Sequence, residues 1–188
     1  LIATIEGQNK DKEVTLSGHV DTLGGMVKEI KSNGRIMFTQ IGGYVWNTVE
    51  GEYVNVENSD GKTYSGTILT TKASSHVHGE ETKTIDRNMK NMEIRLDEKV
   101  SSKEDVENLG ISVGDFVFFD PRVTVTESGF IKSRHLDDKA GVISILGIAK
   151  YLVENNIKPK YTTNFFISNY EEVGHGASAA IPEKTFEF

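Results

Sequence analysis

Three short segments of this 188-residue chain carry side chains that could hold a divalent metal: Gly18-His19-Val20-Asp21, Leu136-Asp137-Asp138-Lys139-Ala140-Gly141 and Tyr170-Glu171-Glu172-Val173-Gly174. Each places imidazole or carboxylate, borderline or hard ligands, where an apparent strand ends or a helix begins. His19 and Asp21, two apart at a strand end, are expected to face one side, where the carboxylate can hold a ring N–H and fix which nitrogen meets a metal. Asp137, at a strand-to-helix junction, offers two oxygens able to span cations roughly 3.5 to 4 Å apart, the usual two-metal separation. Glu171 and Glu172, neighbours at a strand end, divide naturally into one metal ligand and one group that handles a proton. Taken singly, each motif has a plainer reading: a structural His-x-Asp pair, an Asp-Asp helix cap, a solvated Glu-Glu surface. Their order and their placement at element ends favour a joint site.

Two further histidine groups invite a metal reading or lie near the acidic motifs. His76 and His78 stand two apart and could chelate, but they fall in a polar stretch with no carboxylate partner, which reads as a solvated loop. His135 and His175 lie closer to the acidic motifs and are candidates for substrate-side or supporting roles.

The elements that must position these residues read as two patterns. Residues 13–18 form a strand feeding His19 and Asp21. From Met26 to about Arg122 short alternating segments follow, with Asn33-Gly34 between 26–30 and 35–41 and Asp60-Gly61 between 53–57 and 63–69; both dipeptides are two-residue hairpin signals. Ser101-Ser102-Lys103-Glu104 has capping-box spacing for a short helix over 103–109 that Gly110 would stop, and 116–119 is another strand. This stretch suggests a small barrel or curled sheet. Beyond it, a strand over 130–133, a helix over 138–154 with Val142, Ile145, Leu146, Ala149, Leu152 and Val153 recurring at helical spacing, and a strand over 162–168 make a βαβ unit. The expected architecture is therefore an α/β domain from residues 1–23 and 123–188, interrupted by a β-barrel-like domain at 24–122.

Composition limits the function. A formal net charge of -7 argues against nucleic acid and anionic membrane as partners. No apolar run approaches the roughly 18 to 20 residues needed to span a bilayer, and no signal peptide is evident. The absence of cysteine removes disulfides, thiolate metal sites and a cysteine nucleophile, so any metal takes nitrogen and oxygen ligands; a cytoplasmic location is the expectation. The chain opens directly in a strand-like run and closes shortly after an apparent helix start, and it reads as a fragment of a longer protein.

The three motifs together resemble the dinuclear-metal aminopeptidases of the glutamyl-aminopeptidase and TET type, some of which have been labelled endoglucanases. The resemblance covers essentially the whole chain. It implies an α/β/α metallopeptidase-type catalytic domain, present in part and interrupted by an inserted β-barrel. It implies His19 as ligand of one metal, Asp137 as the carboxylate bridging both, Glu172 as ligand of the second, Glu171 as general base and Asp21 as the carboxylate that orients the histidine. Two divalent cations, zinc or cobalt, would activate water for attack on the peptide carbonyl, with Glu171 carrying its proton to the leaving amine. Peptides are the implied substrates, and the inserted domain is implied to support a homo-oligomer and to govern substrate access.

The chain departs from the family pattern at Thr22, where relatives usually have an acidic residue, and at the shorter Gly174-His175-Gly176. The family also supplies a further aspartate and a later histidine that would fall beyond Phe188. The expectation for these 188 residues alone is a partial site with weak or absent metal and little activity, against an active longer protein.

Two other classes remain open: a related two-metal carboxypeptidase, dipeptidase or deacylase, in which Gly-His-x-Asp-Thr also occurs, and a non-catalytic module that self-associates through its β-domain. A glycosidase fits poorly, because it needs two carboxyls facing each other across a sugar at about 5 to 9.5 Å, and adjacent Glu171 and Glu172 on a strand would point to opposite sides.

Overall fold

The structure is a computed structural model describing residues 1–177 and 180–188. The chain forms two compact units, one from Leu1–Thr22 with Arg122–Phe188 and one from Leu23–Pro121. In chain order, β1 (Ile2–Ile5) and β2 (Asn9–His19) belong to the first unit. The second unit holds β3 (Gly24–Ile30), β4 (Ile36–Ile41), β5 (Tyr53–Glu57), β6 (Thr63–Thr70), the one-turn helices α1 (Ser75–His78) and α2 (Glu81–Thr84), β7 (Met92–Leu96), α3 (Lys103–Asn108) and β8 (Phe116–Phe119). The chain then returns to the first unit with β9 (Thr124–Val125), β10 (Ile131–Lys132), α4 (Leu136–Glu154), β11 (Tyr161–Ser168) and β12 (Thr185–Glu187).

The second unit is a closed barrel in the order β3-β4-β7-β6-β5-β8. Alternate residues of β5 to β8 turn inward, among them Val54, Val56, Tyr64, Ile68, Ile94, Val117 and Phe119, as the two-residue period of a strand requires. Phe38 is fully buried with Trp46 packed 5.2 Å from its ring, and Val106 of α3 and Ile111 complete the core. Each such side chain contributes about 1.5–3 kcal/mol on burial, and closure leaves no unpaired strand edge.

Both anticipated hairpins form, with longer loops than the dipeptides suggest. Lys31 and Arg35 close around Ser32-Asn33-Gly34, and Asn58 and Lys62 around Ser59-Asp60-Gly61. A two-residue turn of the kind favoured by Asn-Gly needs positive φ at both central residues. Here only the glycines have it, Gly34 at 76° and Gly61 at 77°, so each turn ends on a left-handed glycine instead. The capping box is likewise displaced by one residue. Ser102 is the extended residue before α3, so its hydroxyl accepts the Asp105 N–H at 3.1 Å and the Asp105 carboxylate reaches back to the Ser102 N–H at 3.0 Å.

The first unit is a four-stranded sheet, β1-β11-β2-β12, in which β11 and β12 run parallel to β2 and β1 antiparallel to β11. α4 lies on this sheet with Val142 and Ile145 buried. The expected strand over 130–133 is not part of that βαβ unit: β10 has two exposed residues and pairs with β9 in a separate ribbon. The parallel partners joined through α4 are β2 and β11, because β2 offers a full-length edge to β11 from Asn9 to His19. No described helix is long and apolar enough to cross a membrane.

Candidate metal centre

Parallel pairing places His19, the last residue of β2, directly beside Ser168, the last residue of β11. The segment after β2 and the segment after β11 therefore emerge together at the carboxyl edge of the sheet, where open α/β sheets bind their ligands. Val20 continues the contact, its N–H donating to the Ser168 carbonyl at 3.1 Å.

His19 is buried, at 7% exposure. Its Nδ1 lies 3.1 Å from the Asp21 carbonyl oxygen and 3.4 Å from Asp21 Oδ1. A carbonyl can only accept, so Nδ1 carries a proton, and in the neutral ring Nε2 then keeps its lone pair. Nε2 faces Asp137 Oδ1 at 3.2 Å and Glu171 Oε2 at 3.6 Å. The Asp137 side chain is 87% exposed, so a buried nitrogen meets solvent-facing carboxylates.

Asp21 meets the imidazole with its carbonyl at hydrogen-bond distance and its Oδ1 a little farther off. Asp21 lies beyond the end of β2, and its main-chain carbonyl rather than its side chain accepts the imidazole N–H. Its Oδ2 instead accepts the Glu172 N–H at 3.0 Å, tying the two segments together, while Oδ1 is buried with no hydrogen-bond partner. Glu171 and Glu172 differ from expectation. They sit on a 3₁₀ turn, Glu171–Val173, entered through Tyr170 at φ 68°, so they do not alternate across a strand.

The electrostatics suit a cation. Burial acts to lower the His19 pKa, but its bond to the Asp21 carbonyl, its contact with Asp137 and the charges of Glu171 and Asp21 outweigh that, and the net shift is upward. The Glu172 carboxyl is also pushed up, first by burial and then by the neighbouring Asp137, Glu171 and Asp21 charges, against the opposing pull of His19. A lone pair confronting anionic oxygens, with more negative charge behind them, is relieved by a proton or by a metal ion. An imidazole nitrogen with carboxylate oxygens is a donor set that zinc, cobalt and manganese accept. Among the described residues, no three histidine, aspartate or glutamate side chains close on a common point as a ligand set; the contacts radiate from His19.

The remaining sequence candidates lie on other segments. His135 immediately precedes α4, and His175 is exposed with its N–H donating to the Tyr170 carbonyl at 2.9 Å. His76 and His78 form part of α1 in the barrel unit. The residue that sequence reasoning passed over is Asp138. Asp137 and Asp138 both lack helical backbone angles, so regular α4 starts after them; the peptide between them is cis. Asp138 Oδ1 accepts the Gly141 N–H at 3.1 Å and Oδ2 the His19 N–H at 3.3 Å. The only sequence signal was the helix-capping pattern of Asp-Asp followed by Gly141.

Comparison with known proteins agrees with this architecture. The chain is 52% identical to the candidate aminopeptidase YhfE of Bacillus subtilis (strain 168) over all 188 residues, covering 54% of that protein. Among solved structures, aminopeptidase APDkam598 of the archaeon Desulfurococcus kamchatkensis superposes with a TM-score of 0.78 at 28% identity, over 94% of this chain and 46% of that one. The dodecameric form of the Pyrococcus horikoshii TET1 peptidase superposes with a TM-score of 0.73 at 25% identity, over 92% and 48%. The chain thus spans about half the length of these relatives. A family model for M42 glutamyl aminopeptidase matches residues 1–187, and the chain belongs to that family.

Proposed function

We propose that the protein carrying these residues is a metal-dependent aminopeptidase, which removes N-terminal residues from peptides. The observation that carries this reading is His19 Nε2 held within 3.2 Å of Asp137 and 3.6 Å of Glu171 at the carboxyl edge of the sheet. In this reading His19, Asp137 and Glu172 hold two divalent cations, zinc or cobalt, with Asp137 shared between them. When bound, such ions polarise a carbonyl oxygen and make water a better nucleophile at neutral pH.

The chain's own residues divide the other tasks. The Asp21 carbonyl holds Nδ1–H of His19, which leaves Nε2 free to donate its lone pair. Glu171, whose side chain is 55% exposed, stands at the edge of the cluster, where it can take a proton from water and return it to the leaving amine nitrogen. A free substrate α-amine is attracted to this concentration of carboxylates, which favours cleavage at a peptide's amino end.

Replacing Glu171 with Gln is the decisive experiment. It removes the proton acceptor and spares the proposed ligands, so turnover is lost while metal content is unchanged. Hydrolysis retained in Glu171→Gln would take this role away from Glu171. Peptides blocked at the amino or the carboxyl end separate this reading from a carboxypeptidase, dipeptidase or deacylase.

The barrel unit has a second proposed role in self-association and substrate access. The TET1 peptidase forms a dodecamer, and on this chain Phe116 and Phe118 of β8 are 49% and 43% exposed with their rings 6.2 Å apart, an aromatic pair suited to burial in an interface. Residues 1–188 by themselves are proposed to hold metal weakly and to turn over little peptide. Equilibrium dialysis of this polypeptide against zinc, beside a longer form of the protein, tests that directly.

A further inference from the structure

We propose that Asp138 is a positioning residue for the site: its carboxylate ties the end of β2, which carries His19, to the first turn of α4, and so sets where His19 Nε2 meets Asp137. The inference rests on the reading of His19 and Asp137 as metal ligands, and it assigns Asp138 a task beyond capping a helix.

Two oxygens of one carboxylate serve two different elements. Oδ1 accepts the Gly141 N–H at 3.1 Å, which satisfies an otherwise unpaired donor in the first turn of the helix. Oδ2 accepts the main-chain N–H of His19 at 3.3 Å, across 119 positions of sequence. A cap needs only the first of these bonds.

Close packing makes the second one possible. A methyl group on Gly141 would collide with Asp138 Oδ1, and one on Gly18 would stand 3.0 Å from Oδ2 and 3.1 Å from the Val142 side chain. Glycine at both positions lets the helix start and the strand end approach the same carboxylate from two sides. Lys139 adds a parallel tie, its ammonium donating to the Val20 carbonyl at 2.8 Å. The neighbouring aspartates therefore have separate work. Asp138 is spent on the scaffold, and Asp137 projects its carboxylate to His19.

Asp138→Ser separates positioning from capping. Serine is a favoured N-cap residue and can still accept the Gly141 N–H, but a single short hydroxyl cannot also hold His19. In metal-free protein, the His19 amide is expected to exchange with solvent at least about tenfold faster, and the 15N signals of its ring to lose the pattern of one fixed tautomer, with the thermal midpoint close to that of the parent. Zinc affinity measured by calorimetry is expected to fall about 10- to 100-fold, as for other groups that orient a metal-bound histidine. A serine variant whose His19 amide stays protected and whose ring signals match the parent overturns the proposal and leaves Asp138 a helix cap. Should Asp138→Ser not fold, Asp138→Asn retains the shape, sets an NH2 against one of the two N–H donors, and is read by the same exchange and ring signals. If His19→Ala leaves zinc binding untouched, the metal reading of the site fails, while the exchange and ring measurements still decide whether Asp138 positions His19.

Discussion

Asp21 joins His19 to Glu172: its carbonyl takes the ring N–H of the histidine at 3.1 Å, and its Oδ2 takes the backbone N–H of the glutamate at 3.0 Å. One residue thus fixes both the tautomer of one proposed ligand and the place of another. The carboxylate is largely buried, and its charge is among those that push the Glu172 carboxyl up.

Asp21→Ala leaves the Glu172 N–H without its acceptor, which costs about 1–3 kcal/mol when the group stays buried. The imidazole keeps its carbonyl acceptor, so the loss falls on the glutamate segment. Zinc affinity should drop by about tenfold or more, with a smaller change for Asp21→Asn, which retains one acceptor oxygen. Calorimetric titration with zinc and thermal unfolding of the metal-free proteins measure the two effects separately.

Removing metal should abolish peptidase activity in a longer form of the protein that carries the full ligand set. Dialysis against a chelator followed by addition of zinc or cobalt should restore it, and magnesium should not, because a site containing imidazole favours borderline metals over hard ones. Hydrolysis of an aminoacyl anilide, followed before and after metal addition, is the measurement. Activity that survives chelation and exhaustive metal analysis would count against the proposed mechanism.

Phe38→Ala should destabilise the barrel unit by about 3–5 kcal/mol, the range for truncating a large buried aromatic residue. Phe38 is fully buried and in ring contact with Trp46, the protein's one tryptophan. Trp46 fluorescence during urea unfolding therefore reports on this unit, and the midpoint should move to lower urea.

The Asp105 cap should make the barrel unit sensitive to acid. Hydrogen bonds from the Ser101 N–H, then from the serine side chains and the Ser102 N–H, hold the Asp105 carboxyl below the usual aspartate range, against a smaller opposing effect of burial. A carboxyl with a depressed folded pKa lends stability that is fully present above its unfolded pKa and is lost as pH falls through the folded one. Parent protein and Asp105→Asn should accordingly differ at neutral pH and converge below the usual aspartate range. Urea midpoints from Trp46 at neutral and at acid pH test this, and a constant difference across that range would contradict it.

Much of the fold was open to sequence reading because it rests on local patterns. The strand of 162–168, the helix bearing Val142 and Ile145, and the glycines closing both hairpins all announce themselves through periodicity or turn chemistry. The misreadings have local causes as well. Asn33 and Asp60 do not adopt left-handed angles, so the loops are one residue longer; Ser102 rather than Ser101 caps the helix, with Asp105 as its partner, so the cap moves by one. The two-residue strand β10 had the pattern of a sheet member, but its pairing partner is β9.

By itself, the order of residues determined which groups are available for chemistry: an imidazole before the barrel, carboxylates after it and no thiol anywhere, in a chain that matches one peptidase family over residues 1–187. Only the tertiary structure decided how those groups are used. Parallel pairing of β2 with β11 set His19 beside Ser168, and from that register follow the bonds of Asp21 to Glu172 and of Asp138 to His19. Such contacts join residues more than 100 positions apart, and their geometry depends on which strand neighbours which. A linear pattern can nominate Asp137 and Asp138 equally; strand register and the room left by Gly18 and Gly141 tell the ligand candidate from the residue that holds it in place.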